Sequence, residues 1–153
     1  MAMTRILMVC LGNICRSPLA HGILESKLSD ELFYVDSAGT SNYHIGEQPD
    51  RRSIAVARQH GIDISHQAGR QFNINDFDTF DIIYAMDQSN YNNIIKLARN
   101  QKDIVKVQKI LDVDTNFANK DVPDPYYGDM GDFEHVYTLL DAVCQKIVKE
   151  LTS

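Results

Sequence analysis

The chain predicts an α/β fold, a three-layer sandwich with a four-stranded parallel sheet between layers of helices. Short apolar runs of strand length recur along it, helical segments separate them, and it closes on a long amphipathic helix. The first run, residues 5–10, is apolar from Ile6 to Val9 and reads as a buried strand that Gly12 and Asn13 bring to an end. Ser17 and Pro18 then start a helix, Ser17 as its cap, with Leu19, Ile23, Leu24 and Leu28 along its apolar face. A second strand follows at residues 33–36, stopped by Ala38 and Gly39. Pro49 opens a helix carrying Ile54, Ala57 and Arg58, and Gly61 sits where a helix terminates. Residues 81–86 form a third buried strand, followed by a helix over 89–100 and a weaker strand over 105–111. Val136, Leu140, Val143, Ile147 and Leu151 recur at helical spacing near the end. No linker, repeat or low-complexity stretch divides the chain, so residues 1–153 read as a single domain.

Composition narrows the function classes. Of 153 residues, 44% are hydrophobic and 24% charged, the ordinary globular balance. No apolar run approaches the roughly 20 residues that span a bilayer. The short run near the start lacks the flanks of a signal peptide. A net charge of −6 without a dense Lys/Arg cluster argues against nucleic acid or an anionic membrane as partner. Three cysteines are few and odd in number, unlike a disulfide-stapled secreted domain. The expected compartment is the cytoplasm, where a cysteine is either core filler or chemistry. The five histidines show no paired metal-ligand spacing, and Asp129 and Asp132 lack the order of a calcium loop. No metal or cofactor is expected.

Ligands of parallel sheets sit at the carboxyl ends of strands beside helix N-termini. There the first strand ends in Cys10-Leu11-Gly12-Asn13-Ile14-Cys15-Arg16-Ser17. A cysteine and an arginine with five residues between them, followed by a hydroxyl, frame a loop that can wrap into a cup. Its backbone N–H groups would converge on an anion, with the helix dipole behind them. Arg16 supplies a planar fork matching two phosphate oxygens. Gly12 and Asn13 tolerate the unusual backbone angles a cup requires. A thiol in such surroundings is kept as thiolate, and behind a bound phosphate it is a nucleophile that Ser17 could stabilise by a hydrogen bond. A lone buried cysteine is usually packing, but this combination of residues is far rarer.

The segment from Val9 to Pro18 closely resembles the signature of low-molecular-weight protein-tyrosine phosphatases. The resemblance covers nearly the full chain: Val35-Asp36-Ser37-Ala38-Gly39-Thr40-Ser41, Gly61-Ile62, Ser65-His66, Ala85-Met86-Asp87 with Ser89-Asn90, and Asp124-Pro125-Tyr126-Tyr127-Gly128 fall in that family's order and spacing. It implies that family's fold, phosphotyrosine protein phosphatase I-like. It also implies hydrolysis of phosphotyrosine and aryl phosphates through a phosphocysteine intermediate. Cys10 would be the nucleophile and Arg16 the phosphate clamp, with Leu11, Gly12, Asn13, Ile14, Cys15 and Ser17 completing the phosphate site.

A departing phenolate needs a proton, and Asp124-Pro125 is the best source. It lies in a segment that Pro123 and Gly128 mark as a loop, able to lie over the cup away from water. An Asp-Pro turn is common by itself; the resemblance assigns Asp124 as general acid and then base. Tyr126 and Tyr127 could equally be turn residues, but the resemblance places them beside the substrate ring, with Tyr43 on the opposite wall. A deep slot between aromatic faces favours phosphotyrosine over the shorter phosphoserine. Ser37 and His66 match positions that help hold Asn13 and the loop. Cys15 either fills space or resolves oxidised Cys10 as a disulfide, and the resemblance favours the second. Core filling suffices for Cys144. The implied partners are phosphotyrosine-containing proteins, a tyrosine kinase among them on family analogy, together with phosphate and similar oxyanions.

Other readings fit less well. Thioredoxin-coupled arsenate reductases share this loop but need further redox cysteines that Cys144 alone does not supply. Protein-arginine phosphatases carry Thr where this chain has Ile14, whose bulk restricts the pocket against a guanidine. Asp112-Val113-Asp114-Thr115 matches the nucleophile motif of haloacid-dehalogenase-type phosphatases, but the chain after it is too short for that fold. A binding module without turnover would be expected to have lost Cys10, Arg16 or Asp124.

Overall fold

A computed structural model describes residues 3–117 and 120–153; Met1 and Ala2, to which the sequence assigns no role, lie outside them. Thr4–Cys10 (β1) takes the centre of a four-stranded sheet. Phe33–Gly39 (β2) lies on one side, and Ile82–Ala85 (β3) then Val107–Lys109 (β4) on the other. Every pairing is parallel, with Ile6 opposite Val35 and Ile82, and Ile83 opposite Val107. A central parallel strand is covered on both faces, which explains its unbroken apolar run.

The alternation of β1 divides the core. Ile6 and Met8 pack against Arg16–Lys27 (α1), Arg51–Gln59 (α2) and Met130–Thr152 (α6) through Leu19, Ile23, Val56, Leu140 and Val143. Leu7 and Val9 point the other way, to Phe77 of Asp76–Thr79 (α3) and Ile94 of Gln88–Ile95 (α4). The result is the three-layer sandwich predicted. In α6 an Asp129–Asp132 capping box contributes about 1 kcal/mol. Burial of Phe133, Val136, Leu140, Val143 and Ile147 contributes roughly 1.5–3 kcal/mol each, so packing and not the cap holds the helix.

Three local expectations change. Ser17 does not cap α1: Cys15 occupies that position without a side-chain cap bond, because the Ser17 hydroxyl turns inward to the thiol. The helix expected over 89–100 ends at Ile95. Asn100 instead begins a separate turn, Gln101–Ile104 (α5), by accepting from Asp103 N at 3.0 Å. The weak fourth strand shortens to Val107–Lys109 because the chain coils into a 3-10 turn at Ile110–Val113. Asp112 and Asp114 of the dehalogenase-like motif fall in and just after that turn, where the Asp114 carboxylate accepts from Asn116 N at 2.9 Å. No helix among the described residues is long and apolar enough to cross a membrane.

Candidate active site

Because β2 and β3 lie on opposite sides of β1, the connections diverge at the carboxyl ends of β1 and β3, where an open parallel sheet offers a crevice. The loop from Cys10 to Arg16 occupies it. Four of its carbonyls are satisfied by neighbouring segments: Cys10 O and Leu11 O accept from Thr40 N and Ser41 N at 2.9 Å each, Ile14 O from Asp50 N at 2.7 Å, and Cys15 O from Ser53 Oγ at 3.3 Å. Among the described residues, no acceptor takes the amides of positions 11 to 15. Five such donors, followed by a helix whose first turn carries no acidic residue, make an anion cradle.

Asn13 closes the cup in the left-handed region, at φ 59°. Its side chain makes that conformation self-supporting: Nδ2 donates to Ser17 Oγ at 2.8 Å and Oδ1 accepts from Arg70 N at 3.0 Å. Gly39 supports the cup from β2. A Cβ there would stand 2.7 Å from Leu11 O and 3.0 Å from Asn13 N, so only glycine allows the loop to lie so close.

Cys10 Sγ sits at the base, buried, 3.0 Å from Ser17 Oγ. Ser17 has one proton and two takers, the sulfur and Ala38 O at 3.4 Å; the shorter contact favours the sulfur. Arg16 is only 3% exposed. Its Nη1 donates to Asp87 Oδ2 at 2.6 Å and to Val122 O at 3.1 Å, while Nη2 lies 3.7 Å from Asp124 Oδ2. Burial works against its charge, but neighbouring Cys10 and the Asp87 hydrogen bond more than offset this, holding the guanidinium protonated more firmly than usual. Asp87 has two tasks, since its other oxygen caps α4 through Asn90 N at 2.7 Å.

Cys10, Leu11, Gly12, Ile14, Cys15, Arg16, Tyr43, Asp124, Tyr126 and Tyr127 line one pocket of about 280 Å³. Asp124 is not secluded from water as expected, since its side chain is 43% exposed. Tyr126 and Tyr127 meet edge to face with ring centres 4.9 Å apart. Cys15 lies in the same wall, and burial pushes its thiol up, with Asp50, Cys10 and Asp124 adding to the effect.

Ser37 and His66 do not hold Asn13. The Ser37 hydroxyl lies 3.1 Å from His21 Nδ1 and His66 is exposed, leaving the support of Asn13 to Arg70 and Ser17. Sequence reasoning missed Asp87, Arg70 and His44, the last a further lining residue. An Asp just past a buried strand, with Asn90 three residues on, was the available sign of Asp87. Nothing local marks the other two. No cluster of three His, Cys, Asp or Glu side chains able to hold a metal occurs among the described residues.

Fold and loop together define a class: an α/β protein with an anion-cradling loop that carries a thiol at its base and a buried guanidinium at its rim. The sequence pattern of the low molecular weight phosphotyrosine protein phosphatase family matches residues 5–153. The family's Saccharomyces cerevisiae protein is 38% identical over 149 residues, spanning 93% of this chain and 91% of its own. A crystal structure of a protein tyrosine phosphatase from Entamoeba histolytica, with Hepes in its active site, superposes with a TM-score of 0.91 at 35% identity over 97% of each chain. Vibrio vulnificus Wzb in complex with benzylphosphonate superposes with a TM-score of 0.86 at 28% identity, over 97% of this chain and 99% of that one. The chain belongs to the low molecular weight phosphotyrosine protein phosphatase family, a family of protein-tyrosine phosphatases.

Proposed function

We propose that the protein hydrolyses phosphotyrosine and other aryl phosphates through a phosphocysteine intermediate. The observation that carries this is the position of Cys10 Sγ at the base of a cup of unpartnered amides, 3.0 Å from the Ser17 hydroxyl. The phosphate oxygens bind the cup amides and Arg16. The Cys10 thiolate attacks phosphorus, the P–O bond to the ring breaks, and Asp124 gives its proton to the phenolate oxygen. Asp124, now ionised, takes a proton from water as that water attacks phosphorus. The S–P bond breaks, the thiolate returns and phosphate leaves. Arg16 and the amides stabilise the transferring group in both steps, and Asp87 keeps Arg16 aimed.

Tyr43, Tyr126 and Tyr127 line the route to Cys10, which supports an aromatic phosphoester; benzylphosphonate, seen in the Vibrio relative, has the same pairing of ring and oxyanion. Its substrates are phosphotyrosine-containing proteins, a tyrosine kinase among them, and a nucleophilic thiol requires a reducing compartment such as the cytoplasm. When a peroxide oxidises Cys10 to the sulfenic acid, Cys15 attacks that sulfur and expels water, leaving a Cys10–Cys15 disulfide that thiols reverse.

The test is phosphate release, with chelator present, from matched phosphotyrosine, phosphoserine and phosphoarginine peptides by the native protein and Cys10→Ser. Release from phosphotyrosine alone, abolished by the substitution, is the expected result. Preference for phosphoarginine would overturn the inference drawn from Ile14, and activity surviving Cys10→Ser would overturn the mechanism.

A further inference from the structure

The acid segment has little of its own to hold it. From Lys120 to Asp129, up to the start of α6, it forms neither strand nor helix. Its first end is fixed where Val122 N donates to Met86 O at 2.9 Å and Val122 O accepts from Arg16. At its other end the segment leans on one side chain, Arg52. Nη2 of Arg52 donates to Tyr126 O and Nη1 to Gly128 O, both at 2.9 Å. The guanidinium lies 4.4 Å from the centre of the buried Phe133 ring and 5.9 Å from that of Tyr126.

Arg52 is itself fixed to the phosphate cup. Asp50 accepts from Arg52 Nε at 3.0 Å and from Nη2 at 2.9 Å, and Asp50 N donates to Ile14 O at 2.7 Å. Tyr126 N in turn donates to Asp124 Oδ1 at 3.1 Å. The connection therefore runs from the cup at Ile14 through Asp50, Arg52 and Tyr126 to the Asp124 carboxylate. A surface ion pair alone would contribute little. This one uses Nε, Nη1 and Nη2 in one plane to span two segments far apart in sequence, which a lysine ammonium cannot do from a single point.

We infer that Arg52 is the positioning residue that sets the Asp124 carboxylate over the phosphate cup. It touches no reacting atom and acts through Tyr126 and Gly128. The inference rests on the proposed role of Asp124 as proton donor, so its effect must grow with the need for that proton.

The test compares kcat/KM for phenyl phosphate, whose leaving group needs protonation, with that for p-nitrophenyl phosphate, whose leaving group needs it far less. Both present one aromatic ring to the same walls. Arg52→Ala is expected to lower kcat/KM for phenyl phosphate by about 10- to 100-fold, and that for the nitro ester several-fold less. Inhibition by inorganic phosphate should stay within about twofold of the native value, because the cup amides and Arg16 are retained. In an Asp124→Asn background, which already lacks the donor, the same substitution should add no more than about twofold. Arg52→Lys, which keeps the charge but loses the fork, carries the same comparison should Arg52→Ala fail to fold. Equal loss on both esters, loss that multiplies on top of Asp124→Asn, or no loss at all would overturn the inference. A native protein that hydrolyses neither ester would refute the proposed function, and the inference with it. One that hydrolyses both but is indifferent to Arg52 would refute the inference alone.

Discussion

Ser17→Ala removes one oxygen from a fully buried position and isolates the stabilisation of the leaving thiolate. Three contacts disappear with it: the 3.0 Å approach to Cys10 Sγ, the 2.8 Å hydrogen bond from Asn13 Nδ2 and the long 3.4 Å one to Ala38 O. A hydrogen bond to a charged group contributes about 1.5–3 kcal/mol, which corresponds to a factor of roughly 10 to 150 in a rate. The loss falls on the second step, in which the S–P bond breaks and the sulfur regains its charge. Turnover should therefore fall by about that factor, and the phosphocysteine should accumulate. Rapid-mixing kinetics with p-nitrophenyl phosphate would read this as a burst of nitrophenol followed by a slow steady rate. Asn13 Nδ2, buried and without its acceptor, should also lower unfolding stability by about 1–3 kcal/mol. A turnover number within twofold of the native value, with no burst, would refute the assignment of Ser17 to the thiolate.

Other perturbations probe the frame around the cup. Gly39→Ala would press a Cβ to 2.7 Å from Leu11 O, so phosphate binding measured by calorimetry should weaken at least about tenfold, with a stability loss of about 1–3 kcal/mol. Burial pushes the Cys144 thiol up from 9.0 to about 12. The unfolded thiol ionises first as pH rises, so the stability held below pH 9 is lost progressively toward pH 12. Urea titrations across that range should show Cys144→Ala flattening part of the fall, with activity at neutral pH unchanged. At the acid end, a hydrogen bond from His21 holds the Glu25 carboxyl below its ordinary 4.5. Stability from that pair is present above 4.5 and lost as pH falls through the lower folded value, so Glu25→Gln should blunt acid denaturation measured by circular dichroism.

The parts of the fold legible in the sequence are those whose signal is local. Arg5 to Cys10 and Asp81 to Met86 read as strands because central parallel strands must be apolar on both faces. The last helix read clearly because its buried stripe repeats at helical spacing. Short pieces did not: α3 and α5 are single turns of four residues, set by their surroundings. Ser17 shows a local preference overruled, a residue suited to capping that is drawn instead to a thiol seven positions earlier. In the site, Cys10, Arg16 and Ser17 share one loop and could be read as a pattern. Their supports could not, because Asp87 reaches Arg16 across 71 positions and Arg70 reaches Asn13 across 57. Such pairs form only once the sheet has brought the strand ends together.

The most direct test of the mechanism is to trap the intermediate. Native protein mixed with p-nitrophenyl phosphate, quenched in acid within milliseconds and digested, should carry one phosphoryl group on the peptide containing Cys10 by mass spectrometry. Ser17→Ala should increase its amount and Cys10→Ser should abolish it. A phosphoryl group on any other residue, or rapid turnover that leaves no phosphorylated peptide in either native protein or Ser17→Ala, would contradict the phosphocysteine mechanism.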